Sequence, residues 1–145
     1  MIEKKIWFDM DGTIADLYGV NEWLAKLNAN DPSPYTEAKP LLRMATLARV
    51  LNRLNREGYE IGIISWTAMD STEAYAEAVE AAKRDWLKAH LPSVNFTTIA
   101  IVDYGTPKHE IGQGYLFDDN AEIRADWGEG AYTPEEIIEV LKGLH

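Results

Sequence analysis

Two acidic pairs each follow a short apolar run. Asp9 and Asp11 close the run Ile6-Trp7-Phe8, and Asp118 and Asp119 close Tyr115-Leu116-Phe117. Runs of this kind read as strands, and Gly12 permits a sharp turn after the first. In a parallel sheet both pairs open onto the same edge. Carboxylates gathered there repel and shift one another's pKa values. A hard dication removes that conflict. Mg²⁺ favours a few carboxylate oxygens together with water and substrate phosphate. The pattern therefore predicts a metal site at Asp9, Asp11, Asp118 and Asp119. Each pair alone has a plainer reading, since Asp-x-Asp-Gly is a common turn and Asp118-Asp119 a common helix cap. Their joint placement after two strands favours a site.

The elements that must position these residues can be read from periodicity and punctuation. Residues 4–9, 59–65, 95–102 and 114–118 are apolar or β-branched segments and predict four strands. Residues 21–28 predict a short helix with Trp23, Leu24 and Leu27 on one face. Residues 30–40 hold Pro32, Pro34 and Pro40 and read as a loop. Over residues 41–57, Leu42, Leu47, Val50, Leu51 and Leu54 recur at helical spacing, and Gly58 stops the helix. Asp70 with Glu73 resembles a helix start, and that helix runs to about His90, with Pro92 just beyond. Thr133-Pro134-Glu135-Glu136 starts a last helix that buries Ile137, Ile138, Val140 and Leu141. Alternating strands and helices predict an α/β fold: three layers, Rossmann-like, with a mainly parallel sheet covered on both faces. Such sheets bind ligands at the carboxyl ends of their strands.

The chain has 145 residues, a formal net charge of −10 and no cysteine. That length fits one domain, residues 1–145, with its own core. Disulfides, a zinc–thiolate site and a catalytic thiol are excluded. No apolar run approaches the ~20 residues of a membrane span, and the chain enters its first strand almost at once. Neither a membrane partner nor a signal peptide is expected, and a cytoplasmic location is. So acidic a surface repels nucleic-acid phosphates unless a basic groove intervenes. No run of Lys and Arg supplies one, so duplex nucleic acid is not an expected partner.

Asp9-Met10-Asp11-Gly12-Thr13 resembles the first signature of the haloacid dehalogenase (HAD) superfamily of phosphotransferases. Ser65, after Ile61-Gly62-Ile63-Ile64, resembles the second. Lys108 resembles the third, and Phe117-Asp118-Asp119 the fourth. The four stand in order across most of the chain, each at a strand end or loop. The resemblance implies a HAD-like fold and Mg²⁺-dependent phosphoester chemistry. Asp9 would attack phosphorus and form an aspartyl-phosphate. Asp11 would protonate the leaving oxygen, then deprotonate the attacking water. Asp9, the backbone carbonyl of Asp11, and Asp119 would bind the metal, with Asp118 orienting them. Ser65 and nearby N–H groups would hold the phosphate; Trp66, directly after Ser65, reads equally as a lining residue or as packing. Lys108 would neutralise charge on Asp9 and the phosphoryl group. Alone, Ser65 reads as the end of a strand and Lys108 as a solvated surface group.

Within that superfamily the chain is most similar to the 5′(3′)-deoxyribonucleotidases. Phe8 to Leu17 resembles their opening segment, and Lys83-Arg84-Asp85-Trp86 resembles their Lys-x-x-Trp segment. The resemblance implies that Lys83 approaches the substrate phosphate, although a solvent-facing lysine is the simpler reading. The family's helical cap, with base-holding aromatics, is larger than residues 16–40 allow, so a small cap insertion is expected there. Leu17 stands where an aromatic is expected, with Trp23 and Tyr35 as substitutes. An open site follows, admitting a large substrate or covered by a second copy of the chain. The leading expectation is a phosphomonoesterase acting on a small phosphorylated metabolite, first among them a nucleoside monophosphate. The alternatives are a phosphatase for another phosphometabolite or a macromolecular phosphate, and a non-catalytic binding domain.

Overall fold

The computed structural model describes residues 1–145. Five parallel strands form its sheet: β1 (Lys5–Phe8), β4 (Glu60–Trp66), β5 (Phe96–Val102), β6 (Tyr115–Phe117) and β7 (Ala131–Tyr132), in the order β5-β4-β1-β6-β7. The strand carrying Asp9 is central. Its residues are apolar on both faces, as a strand covered from both sides requires. Ile6 and Phe8 join Ile61, Ile63 and Phe117 in the main core. That face is covered by α3 (Met44–Arg56), α4 (Glu73–His90) and α6 (Ile137–Lys142), which contribute Leu51, Trp86 and Leu141. Trp7, Ile64 and Leu116 form a second, smaller core. Ile123 and Trp127 of α5 (Ala121–Trp127) pack on it from the other side. The three-layer α/β expectation matches this arrangement.

Phe8 pairs with Ile63 of β4 and with Phe117 of β6. The next residues, Asp9, Ile64 and Asp118, therefore reach one sheet edge together. The Asp9 N–H donates to Phe117 O at 3.0 Å, which carries the ladder one residue past β1.

Residues 15–40 form a smaller body beside the sheet. A two-stranded antiparallel pair, β2 (Ala15–Asp16) with β3 (Lys39–Pro40), brackets α1 (Trp23–Asn28) and α2 (Ser33–Glu37). Leu17 and Tyr35 pack with Tyr75, Val79 and Ala82 of α4. The Tyr75 hydroxyl donates to Asp31 O at 3.0 Å, and Trp86 Nε1 donates to Ala38 O at 2.7 Å.

Several expectations are corrected. The segment 30–40 is not simply a loop. Pro34 stands in the first turn of α2, where no N–H is required, and a proline there starts a helix. The long helix starts at Glu73, capped by Thr72, whose Oγ1 accepts from Tyr75 N at 3.1 Å. Asp70 instead turns the chain through a left-handed conformation, φ 56°. No residue of α1 is buried, and Leu24 is 55% exposed. Helix α5 and strand β7 were not anticipated. No helix is long and apolar enough to cross a membrane.

Candidate active site

Asp9 and Asp118 are both buried at the edge of the sheet, and Lys108 lies between them. Lys108 Nζ donates to Asp9 Oδ1 at 3.0 Å and to Asp118 Oδ2 at 2.7 Å. Thr13 Oγ1 donates to Asp9 Oδ2 at 3.0 Å and accepts from the Asp119 N–H at 3.2 Å. The Asp118 Oδ1 atom accepts from the Asn120 N–H at 2.9 Å. Both oxygens of each carboxylate are therefore oriented by named donors. Lys108 is only 2% exposed, so its reading as a solvated surface lysine is overturned. Burial alone would lower its pKa, but Asp9 and Asp118 outweigh that and hold it above the ordinary lysine value.

Asp11 has a cation of its own. Lys83 Nζ donates to Asp11 Oδ2 at 2.9 Å, to Ser65 Oγ at 2.6 Å and to Trp66 O at 2.7 Å. At 1% exposure Lys83 is not solvent-facing, which corrects the simpler of its two readings. Neither Lys83 nor Ser65 lines the cavity described below, whereas Trp66 and Thr67 do. Withdrawal from water raises the pKa of Asp11, and Asp9 raises it further, against the opposing pull of Lys83. Burial thus shifts Asp11 toward its protonated form relative to an exposed carboxyl, the direction a proton donor needs.

A metal has a suitable place. Oxygens of Asp9, Asp118 and Asp119 all lie within 4.8 Å of one another. Desolvation, then repulsion by Asp9, raises Asp118, while desolvation and Asp9 push Asp119 up to about 7. Three carboxylates sharing one nearby lysine leave negative charge uncompensated, and an all-oxygen set suits a hard dication. The Asp11 carbonyl is free as well, since the Thr13, Ile14 and Ala15 N–H groups all converge on Met10 O instead. Gly12 is required by the same packing. Its φ is +78°, and a Cβ there would overlap the Asp119 carboxylate. Asp118 is spent on Lys108 and Asn120, while Asp119 remains at the exposed rim. Asp9, Asp118 and Asp119 are thus the carboxylates able to hold a cation, and Asp119 is the one at the exposed rim.

A cavity of about 710 Å³ opens over these groups. Two aromatic pairs line it: Tyr18 with Trp23, centroids 5.0 Å apart, and Trp66 with Tyr104, 4.9 Å apart. Tyr35 and Tyr75 line it too. Its rim exposes Tyr18, Leu24, Met69 and Tyr104. Lys108 is the one basic side chain in the lining, against Asp9, Asp11, Asp70, Asp118 and Asp119. Thr13, Thr67, Tyr18 and Tyr104 were not singled out from sequence. Tyr18 adjoins Leu17, where an aromatic was expected, and Thr67 lies two residues after Ser65, so both had a nearby signal.

No protein-family model matches the sequence, and no curated protein matches it. Among solved structures, D,D-heptose 1,7-bisphosphate phosphatase from Burkholderia thailandensis has the same fold, with a TM-score of 0.56. The likeness covers 98% of this chain and 100% of that one at 12% sequence identity.

Proposed function

We propose that the protein is a Mg²⁺-dependent phosphomonoester hydrolase of HAD type, acting through a covalent phosphate on Asp9. The observation that carries this reading is the pairing of Asp9 with Lys108 and Thr13 beside the Asp118 and Asp119 carboxylates. A carboxylate so held has fixed oxygens and a neighbouring cation, and it faces a cavity large enough for a small phosphoester. The fold shared with a phosphatase and the four ordered motifs support the same class.

In this reading a carboxylate oxygen of Asp9 attacks phosphorus and the ester P–O bond breaks. Asp11 gives its proton to the departing oxygen, and the alcohol leaves neutral. Asp11 then takes a proton from water as that water attacks the phosphorus, the bond from phosphorus to the Asp9 oxygen breaks with its electron pair returning to the carboxylate, and inorganic phosphate leaves. Lys108 offsets the negative charge that gathers on Asp9 and the phosphoryl group. Bound Mg²⁺ would be held by Asp9, Asp119 and the Asp11 carbonyl, and would supply Lewis-acid stabilisation of the phosphoryl oxygens. Thr67, which lines the cavity, and the backbone after Ser65 would help position the phosphate. Residues 16–40 act as a small cap.

The walls favour a flat, uncharged leaving group. Aromatic faces stack on planar rings, and Lys108, the one basic lining residue, is already bonded to two carboxylates. The lining offers no second cation for a second phosphate. A nucleoside monophosphate meets both conditions, so it is the substrate class put forward. Hydrolysis of p-nitrophenyl phosphate with and without Mg²⁺, by wild type and Asp9→Asn, tests the class. Equal slow release by both proteins would reject it.

A further inference from the structure

We propose that Lys83 is a positioning residue that acts through Asp11 and does not touch the substrate phosphate. The proposal rests on the hydrolase reading above. An ammonium group has three N–H donors and, when buried, must place them all. Lys83 places its three on Asp11 Oδ2, Ser65 Oγ and the Trp66 carbonyl. None remains for a phosphate. The Tyr35 ring lies 5.2 Å from Nζ and closes another side. Lys83 is absent from the cavity lining, whereas Lys108 belongs to it.

The position of Nζ is set by the helix that carries it. Val79, Ala82, Trp86 and Leu87 flank Lys83 on α4, and all are buried. From there Lys83 pins the turn after β1 to the end of β4. Two lysines thus divide the site. Lys108 serves the nucleophile, and Lys83 serves the acid.

With Oδ2 held by Lys83, Oδ1 is left to carry the proton toward the ester oxygen. As the P–O bond breaks, its electron pair goes to that oxygen, which takes the proton. Asp11 becomes a carboxylate facing an ammonium. A hydrogen bond between charged partners is stronger than one to a neutral acid, so this contact tightens as the proton departs. Loss of Lys83 should therefore hurt esters whose leaving group needs a proton and spare those whose leaving group does not.

The test compares kcat/KM on glycerol 2-phosphate and on p-nitrophenyl phosphate, using the full chain with Mg²⁺. The ratio kcat/KM reports steps through phosphoryl transfer to Asp9 and ignores its later hydrolysis. Lys83→Met should lose ~100-fold on the alkyl ester and under ~5-fold on the aryl ester, since general-acid catalysis is worth roughly 10²–10⁴-fold. Inhibition by inorganic phosphate should stay within about twofold, because no phosphate contact is removed. In an Asp11→Asn background Lys83→Met should cost nothing further on the alkyl ester.

Equal losses on both esters, weakened phosphate inhibition, or a full further loss in the Asp11→Asn background would each overturn the proposal. Lys83→Gln, shorter and uncharged, repeats the comparison if the Met variant does not fold by circular dichroism. If neither folds, Lys83 is structural and the proposal fails. A wild-type protein inactive on both esters would defeat the hydrolase reading itself, before any variant is made.

Discussion

Lys108 Nζ stands 3.0 Å from Asp9 Oδ1, across 99 residues of chain, and both groups are withdrawn from solvent. Removing the lysine strands two carboxylates. Breaking a buried pair typically costs about 3–5 kcal/mol. Lys108→Met should therefore lower stability in urea by an amount of that order and also slow turnover. Mg²⁺ should restore part of the stability, because it offsets the same negative charge, yet leave the rate low. Full recovery of rate with Mg²⁺ would show that the lysine has no catalytic share.

Asp9→Asn should still fold, since the amide oxygen can accept from Lys108, the NH2 can donate to Thr13 Oγ1, and Lys108 keeps Asp118. Its turnover should fall by roughly four orders of magnitude or more, as losses of covalent nucleophiles do. Mass spectrometry of acid-quenched wild type should find phosphate on Asp9, and none on the variant.

Mg²⁺ should raise the melting temperature of wild type. A ligand at a hundredfold excess over its Kd adds about 2.7 kcal/mol. Gly12→Ala should abolish this shift, because a Cβ there invades the Asp119 carboxylate and the backbone is left-handed at φ +78°. A calorimetric Mg²⁺ titration with the same heat in both proteins would disprove the ligand assignment.

Without metal, stability should depend on pH in a defined sense. Asp11, Asp118 and Asp119 all have raised pKa values in the folded chain, with Asp119 at about 7. The folded state then holds more protons than the unfolded one between roughly pH 4 and 7, so stability falls as pH rises through that window. Urea midpoints measured in EDTA should be higher at pH 6 than at pH 8. Saturating Mg²⁺ should flatten the trend.

Substrate panels should separate one phosphate from two. Nucleoside monophosphates should be turned over at least tenfold faster than sugar bisphosphates, a gap of ~1.4 kcal/mol. Preference for bisphosphates would point to a second anion site that the acidic lining opposes.

What the sequence shows, and what it hides, follows from how far each residue's environment extends along the chain. β1, β4 and β6 are legible because central parallel strands are continuously apolar. Both Asp pairs are legible because they abut those strands. The start of α4 was misplaced because Asp70 and Glu73 mimic a capping pair. Burial of Tyr75, Val79, Ala82 and Trp86 sets the helix register, and Thr72 caps it. Prolines mark first turns as well as loops, which concealed α2. The two residues of β7 are too few to show a period. The role of Lys83 is the least legible in the sequence. Its acceptors lie 72, 18 and 17 residues away, and local pattern cannot show that a lysine is enclosed.

The packing of residues 17–38 onto α4 has a consequence for turnover. Leu17 and Tyr35 lock against Tyr75 and Val79, and two hydrogen bonds tie Asp31 and Ala38 to the same helix. The α2 side of the mouth is thereby fastened to a long helix, while α1 stays exposed. On the proposed reading, an entrance fixed on that side leaves water a way in once the alcohol has departed. That suits hydrolysis, in which water is the second reactant, and works against passing the phosphoryl group to a competing alcohol.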